Sequence, residues 1–256
     1  MFSRHNLDKI TPRTSGRFIR LVFAALTLGM SVTVWAADAG EVLWQPAKSV
    51  SRAESLRIAS LYESHVWKPT VKNVHHGIDP DGIPVQTPDA GFVPPGGAKG
   101  WWKVNGWNSG VPYKWGGFDT PADFDRSVSQ GRWAGDVFTP QKRELNDSAV
   151  SRHAAGIDCS GFISRCWRLP KPVSTYQIPK HCSPLPDFDS LKPGDVVNKE
   201  KVHVALFVGF NDPAHKNIVV YDVGCPPHWK VARHLISVAY LRKYGFKAWR
   251  YRGIRD

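Results

Sequence analysis

Apolar residues spaced three and four positions apart predict a helix in the second half of the chain. Asp158 and Ser160 are residue types that favour the start of a helix, and the segment Leu169-Pro170-Lys171-Pro172 would end it. The residues that recur with the 3.6-residue period of a helix are Cys159, Phe162, Ile163, Cys166 and Trp167. The pattern therefore predicts an amphipathic helix that begins at a cysteine.

Five apolar stretches after this helix predict an antiparallel sheet. They lie at 195–198, 202–210, 217–223, 231–236 and 246–251, and a short helix is expected at 237–244. In the second stretch, alternation places His203, Ala205 and Phe207 on one face of the strand. We expect this strand to pack against the helix that begins at Cys159.

The chain opens with the layout of a secretory signal. Residues 1–36 contain five basic residues, then an apolar segment at 21–34, then Val34-Trp35-Ala36 as a small-residue cleavage site. The apolar segment is 14 residues long, whereas a membrane-spanning helix needs about 20. A retained anchor is therefore the less favoured alternative, and we expect a periplasmic or secreted protein with no membrane span after cleavage.

Residues 37–110 are expected to form an extension made of a helix and long loops. The segment 51–64 has the pattern of an amphipathic helix, and the segment 66–110 is rich in Gly, Pro, Asp and His. Five tryptophans lie at 101, 102, 107, 115 and 133. Indole rings can stack on sugars or build a core, and the core is the favoured interpretation for most of them. Because Trp101 and Trp102 are adjacent, one of the two is expected to be exposed.

Catalysis by a cysteine needs a thiol and a base that removes its proton, and Cys159 and His203 could supply these two groups. A thiol in the first turn of a helix lies beside free backbone N–H groups and the positive end of the helix dipole, which favour its thiolate. The same N–H groups can stabilise an oxyanion. The alternative is that both residues only fill the core, since free cysteines are often buried.

Asp222 is the residue expected to orient His203. It is the carboxylate of the strand that follows, and a carboxylate bound to one imidazole nitrogen fixes the tautomer of the ring. His215 is the alternative, but it lies in the loop after Pro213. Strand position therefore favours Asp222.

Five sequence blocks follow one another between residues 111 and 252. They are Val111-Pro112-Tyr113-Lys114-Trp115-Gly116-Gly117, Asp158-Cys159-Ser160-Gly161-Phe162, Leu191-Lys192-Pro193-Gly194-Asp195-Val196-Val197, His203-Val204-Ala205-Leu206-Phe207-Val208-Gly209 and Trp249-Arg250-Tyr251-Arg252. In this order they resemble the NlpC-type papain-like cysteine peptidases, a family that includes many cell-wall endopeptidases. The resemblance implies an α+β papain-like fold, in which the nucleophile helix packs on a five-strand antiparallel sheet.

The resemblance also implies a role for each matching residue. Cys159 would be the nucleophile, His203 the general base and then the general acid, and Tyr113 a group near the thiol that helps to bind the oxyanion. Asp222 falls at the histidine-orienting position, which varies in the family. The catalytic domain would span 111–256, with an insertion at about 118–155 where the family usually has a short connection.

Five further residues are expected at the substrate cleft: Asp158, Ser160, Trp115, Ser174 and Asn198. Asp158 and Ser160 flank the nucleophile, and Trp115 belongs to the first block. Ser174 and Asn198 flank the helix and the strand before His203, where they could hydrogen-bond a peptide or a carboxylate. The favoured alternative for these two is that they are turn and strand-end polar groups.

The charge balance favours an anionic partner. The chain has 34 basic and 22 acidic residues, a net charge of +12, and residues 37–256 keep a net charge of +8. A positive balance suits an anionic polymer such as peptidoglycan and would also suit nucleic acid. The basic residues are scattered and no nucleic-acid motif is present, so nucleic acid is not expected as a partner.

The four cysteines indicate neither a metal site nor a full set of disulfides. A nucleophilic Cys159 must stay reduced, which leaves Cys166, Cys182 and Cys225. Export permits disulfides, and Cys182 with Cys225 is the first pair to test. No Cys-x-x-Cys motif occurs, and the His75-His76 pair has no acidic or thiol partner at ligand spacing, so no metal or other cofactor is expected.

The sequence thus predicts an exported cysteine peptidase that acts on peptidoglycan stem peptides through an acyl-thioester. The resemblance implies cleavage between D-glutamate and the diamino acid. A cysteine amidase or acyltransferase acting on another exported amide would use the same residues. A non-catalytic wall-binding module would instead depend on the tryptophans and the basic residues.

Overall fold

A six-stranded antiparallel sheet lies at the centre of the computed structural model, which describes residues 43–93, 99–224 and 229–256. The helices of these residues are α1 (Arg52–Glu63), α2 (Pro121–Ser129), α3 (Pro140–Leu145), α4 (Cys159–Cys166), α5 (Ile178–His181) and α6 (Val238–Lys243), with 3₁₀ turns at Val71–Asn73 and Asn146–Ala149. The strands are β1 (Val50–Ser51), β2 (Val66–Trp67), β3 (His76–Ile78), β4 (Pro84–Gln86), β5 (Asn108–Ser109), β6 (Trp133–Ala134), β7 (Ala154–Ala155), β8 (Cys182–Pro184), β9 (Val196–Lys199), β10 (His203–Phe210), β11 (Asn217–Val223), β12 (Val231–Ser237), β13 (Lys247–Tyr251) and β14 (Ile254–Arg255).

The central sheet has the strand order β12-β11-β10-β9-β13-β8, and each neighbouring pair is antiparallel. The five strands expected from the sequence are β9 to β13, and the expected short helix is α6. The expected number of five was wrong, because β8 adds a sixth strand at the edge. This strand has three residues and ends in Pro184, so it lacks the apolar alternation by which a strand is identified.

The central sheet is covered on both faces and separates two apolar cores. Val204 and Leu206 of β10 share one core with Phe162 of α4. Ala205 and Phe207 share the other core with residues of α6. Strand β10 therefore packs on α4 as expected, and it does so through the face of Val204 and Leu206. A strand buried on both faces is apolar at successive positions, so its sequence does not show which face meets the helix.

Helix α1 is the N-terminal helix expected at 51–64, and it packs on α4. Its N-cap is Ser51, whose hydroxyl accepts a hydrogen bond from the backbone N–H of Glu54. Tyr62 is buried, and its ring meets the Phe162 ring edge to face, with centroids 5.6 Å apart. This contact places α1 in the same core as the helix that begins at Cys159.

The region between α1 and α4 consists of short paired strands and two helices. The pairs are β2 with β5, β3 with β4, and β6 with β7. The stretch at 66–110 that was expected to be loops therefore contains one short hairpin, β3 with β4, and the antiparallel pair of β2 and β5. Trp102 is fully buried and Trp101 is half-buried, whereas Trp107 is 73% exposed. Of the adjacent pair, Trp102 therefore lies in the core and Trp101 at the edge of the core. The exposed indole is that of Trp107.

The leader expected at residues 1–36 lies outside the described residues. Within the described ranges, no helix is both long enough and apolar enough to cross a membrane.

A buried cluster of ion pairs joins α1 to the central sheet. The Asp195 side chain has no exposed surface and lies 3.0 Å from Arg52 Nη1 and 2.7 Å from Arg250 Nη2. It also accepts the backbone N–H of Lys192 at 2.9 Å, which closes the turn before β9. Because a buried carboxylate is stable as an anion only with its partners in place, this cluster fixes the position of α1.

Replacing Asp195 with alanine should lower the free energy of unfolding by about 3 kcal/mol, because two guanidinium groups lose their shared carboxylate. Urea denaturation measures this change. The exposed residue Glu144 provides a matched control, and Glu144→Ala should change the same quantity by less than about 0.5 kcal/mol. Equal losses in the two variants would contradict the anchoring role of Asp195.

Candidate active site

Asp158 is the N-cap of α4 and sets the position of Cys159. Its Oδ1 accepts the backbone N–H of Gly161 at 2.5 Å and the Ser160 hydroxyl at 3.0 Å. Burial raises the pKa of Asp158, and these two hydrogen bonds oppose that effect. Cys159 is therefore the first residue of α4, half-buried, at the positive end of the helix dipole.

The chain just before α4 is held against the first sequence block. Lys114 N–H donates to Ile157 O at 3.0 Å, and Ile157 N–H donates to Pro112 O at 3.1 Å. A Cβ atom at position 161 would overlap Gly117 O. Glycine at 161 therefore permits the close approach of α4 to this block.

The structure brings Cys159, His203 and Asp222 together. The Cys159 thiol lies beside the ring of His203, which begins β10, close enough for the two side chains to interact. Nε2 of His203 lies 2.6 Å from Asp222 Oδ1. Because the carboxylate occupies Nε2, Nδ1 is the ring nitrogen left for the thiol.

His203 and Asp222 form a largely buried ion pair, with side chains 13% and 5% exposed. Burial lowers the pKa of His203, but the Asp222 carboxylate and the Cys159 sulfur outweigh burial and raise this pKa well above its usual value. Burial raises the pKa of Asp222, but the nearby His203 and the hydrogen bonds with both histidines lower it well below its usual range. A protonated ring beside the sulfur stabilises a thiolate.

His215, the alternative orienting residue, lies elsewhere. Its Nδ1 is 2.9 Å from Asp189 Oδ1, and its ring stacks on Phe210 with centroids 3.5 Å apart. Asp222 is therefore the group that holds His203.

His234 is a residue of this site that the sequence analysis missed. Its Nε2 lies 3.2 Å from Asp222 Oδ2, the oxygen that does not face His203. The hydrogen bond with Asp222 raises the pKa of His234 above its usual value. Pairing the stretches at 217–223 and 231–236 would have brought His234 near Asp222, since diagonal neighbours on adjacent strands lie on the same face of a sheet.

Tyr113 lies beside the residues that lead into α4. It forms a parallel bridge with Ile157, two residues before Cys159, and its side chain is almost fully buried. Its ring packs on Trp229 with centroids 5.6 Å apart. A Cβ atom at Gly224 would overlap the Tyr113 ring, so glycine at that position leaves space for the ring.

Trp229 is a second residue that the sequence analysis missed. Its backbone lies in the left-handed region at φ 44°, which is unusual for a bulky side chain. Its carbonyl accepts Tyr113 N–H at 2.9 Å and Trp101 Nε1–H at 3.0 Å. Its own indole N–H is buried and has no hydrogen-bond partner in the described part of the chain. Strained backbone and unpaired buried donors are features that occur at ligand sites.

Ser160 and Trp115, both expected at the cleft, have contacts within the protein. The Ser160 hydroxyl binds the N-cap of α4, as described above. Trp115 donates Nε1–H to Asn146 O at 3.1 Å, and its ring packs on Phe138 with centroids 5.7 Å apart. Trp115 therefore joins the first block to the insertion at 118–155.

Ser174 and Asn198 lie near each other but differ in exposure. Ser174 is exposed, and its backbone N–H binds Gln177 Oε1 at 2.9 Å, which is the arrangement of a turn residue. Asn198 is buried and donates Nδ2–H to Thr175 O at 3.0 Å, so it fastens the segment after α4 to β9. Ser174 thus lies in a turn, and Asn198 lies in the sheet.

Cys166 and Cys182 are buried free thiols. Burial raises the pKa of Cys166 well above its usual value and that of Cys182 to about 12. The suggested pair of Cys182 with Cys225 is not formed, since Cys182 is free, and Cys225 lies outside the described residues.

Potential metal ligands among the described residues are Asp79, Asp81 and His153, whose ligand atoms lie within 4.8 Å of one another. The carboxylate oxygens already accept hydrogen bonds from protein groups. His76 has an acidic partner that sequence spacing did not indicate, because its Nε2 lies 2.7 Å from Asp89 Oδ1. These side chains therefore have partners within the protein.

Comparison with protein families, curated proteins and solved structures finds no match to this chain. The function is therefore argued from the ordered sequence blocks and from the geometry of Cys159, His203 and Asp222.

Iodoacetamide should modify Cys159 in preference to Cys166 and Cys182 in the folded protein. Cys159 is half-buried beside His203, whereas the other two are 0% and 2% exposed and burial raises their pKa. Brief alkylation at neutral pH, followed by peptide mass analysis, should show at least about a tenfold excess of label on Cys159. Denaturant should then open the other two thiols to the reagent. Preferential labelling of Cys166 or Cys182 without denaturant would contradict the described site.

Proposed function

We propose that this chain is an exported cysteine peptidase that hydrolyses an amide bond in peptidoglycan stem peptides. The observation that carries the proposal is the contact of Cys159 with His203, whose ring is held by Asp222. A thiol at a helix start, an imidazole and an orienting carboxylate are the groups used in nucleophilic cysteine catalysis. The order of the five sequence blocks supports an NlpC-type papain-like fold, and the layout of residues 1–36 supports export.

In the first step, His203 Nδ1 takes the proton of the Cys159 thiol. The thiolate then attacks the carbonyl carbon of the amide, and the carbonyl oxygen becomes an oxyanion. The backbone N–H groups at the start of α4 and the Tyr113 side chain are the proposed donors to this oxyanion. Asp222 stabilises the positive charge that His203 carries at this stage.

In the second step, His203 Nδ1 gives its proton to the amide nitrogen. The carbon–nitrogen bond breaks, the amine leaves, and the acyl group remains on Cys159 as a thioester. A water molecule then attacks the thioester carbon, and His203 takes a proton from this water. The carbon–sulfur bond breaks, which releases a carboxylic acid and restores the Cys159 and His203 pair.

The substrate class is supported by the resemblance and by charge. NlpC-type enzymes include many cell-wall endopeptidases, and the bond implied for this chain lies between D-glutamate and the diamino acid. The net charge of +8 on residues 37–256 suits an anionic polymer. An amidase or acyltransferase would use the same three residues, and its products would differ.

Purified peptidoglycan incubated with residues 37–256 should release peptide fragments whose masses identify the bond that is cut. Cys159→Ala should reduce the rate of release by at least about 10³-fold, because it removes the nucleophile. Cys166→Ala removes a buried thiol from the same helix and should retain activity. Equal release by wild type and Cys159→Ala would refute the catalytic assignment, and binding without release by wild type would favour a wall-binding module.

Asp222→Asn should move the high-pH limb of the activity profile to lower pH. The Asp222 carboxylate helps to raise the pKa of His203, so its removal lowers this pKa, and the imidazolium that protonates the leaving amine is lost at a lower pH. Asp189→Asn changes the carboxylate that binds His215 and should leave the limb in place. A limb that does not move in Asp222→Asn would contradict the orienting role of Asp222.

A further inference from the structure

We infer that His234 is a positioning residue, which binds one oxygen of Asp222 so that the other oxygen stays on His203. The inference rests on the proposed nucleophilic role of Cys159. It adds a fourth side chain to the three that the sequence indicated, in the order Cys159, His203, Asp222 and His234.

The pairing of β11 with β12 places His234 next to Asp222. The register continues without a shift from Asn217 opposite Ser237 to Val223 opposite Val231. Asp222 is directly opposite Ala232, and His234 lies two residues further along β12. Side chains at such diagonal positions lie on the same face of a sheet and are within reach of long side chains. Because Ala232 has only a methyl group, the Asp222 carboxylate is open to the His234 ring.

The hydrogen bonds of His234 favour its protonated form. Nε2 lies 3.2 Å from Asp222 Oδ2, and Nδ1 lies 3.3 Å from the Leu235 carbonyl oxygen. Both partners are acceptors, so both ring nitrogens must carry a hydrogen to satisfy them, as in an imidazolium. The charged groups that act on His234 agree with this, since Asp222 raises its pKa while His203 opposes the effect.

The Asp222 carboxylate therefore lies between two imidazole rings. Its side chain is 5% exposed, and the His203 and His234 side chains are 13% and 25% exposed. A buried carboxylate that loses one partner is free to turn toward another donor. Loss of the His234 hydrogen bond would thus weaken the contact that keeps His203 protonated beside the Cys159 sulfur.

The rate of Cys159 alkylation by iodoacetamide tests this role without any peptidoglycan substrate. The rate follows the thiolate fraction, and the label on Cys159 is separated from other thiols by peptide mass analysis. At about pH 6, below the pKa of about 8.5 of a free thiol, His234→Leu should slow the reaction roughly tenfold, the lower end of the about 10- to 100-fold loss on removal of a group that orients a metal-bound histidine. His234→Gln keeps an N–H donor and should stay within about threefold of wild type.

His215→Gln is the matched control, because His215 also binds a carboxylate but lies away from Asp222. It should leave the alkylation profile unchanged. Thermal denaturation of each variant separates a change in stability from a change in the site, since a merely structural His234 would shift the melting temperature and leave the alkylation profile of the folded protein unchanged.

An unchanged alkylation profile in folded His234→Leu would overturn the inference. If His234→Leu does not fold, the same comparison is made with His234→Ala, in which the smaller side chain admits water. A different outcome is that the wild type reacts fast with iodoacetamide at Cys159 and yet releases no peptide from peptidoglycan. That result would refute the proposed substrate and leave the role of His234 standing.

Discussion

The contact between the first residue of α4 and the first residue of β10 is the interaction on which the site depends. Cys159 and His203 are 44 residues apart in the sequence, so the contact exists only when the helix and the sheet are docked in one way. Successive residues of a helix are rotated by about 100°, so a shift of α4 by a single residue would turn the sulfur away from the ring. The Asp158 N-cap and the close approach of Gly161 to Gly117 fix the start of α4 against such a shift.

Asp195 and Asp222 are both buried carboxylates with two cationic partners, but one cluster is structural and the other belongs to the candidate active site. Asp195 is paired with two arginines, which stay protonated under all ordinary conditions, so its cluster acts as an anchor for α1. Asp222 is paired with two histidines, whose rings can give up a proton and take it back. Burial makes both carboxylates dependent on their partners, but only the partners of Asp222 can take part in proton transfer.

The sequence alone predicted the elements of the site better than their arrangement. The helix that begins at Cys159 and the strands β9 to β13 follow from local period and turn residues, and the choice of Asp222 over His215 followed from strand position. The face of β10 that meets α4 could not be predicted, because both faces are buried and apolar. Trp229 was missed because its role depends on contacts with segments distant in sequence. His234 was missed because its role depends on the register of two neighbouring strands, and β8 because a three-residue edge strand has no period.

The most direct test of the central contact is the ultraviolet absorption band of the Cys159 thiolate, taken as the difference between wild type and Cys159→Ala across a pH titration. Wild type should show the band at about pH 6, well below the pKa of about 8.5 of a free thiol. His203→Leu should remove the band at that pH. A wild-type band that appears only above about pH 8.5, with the same titration in His203→Leu, would contradict the account.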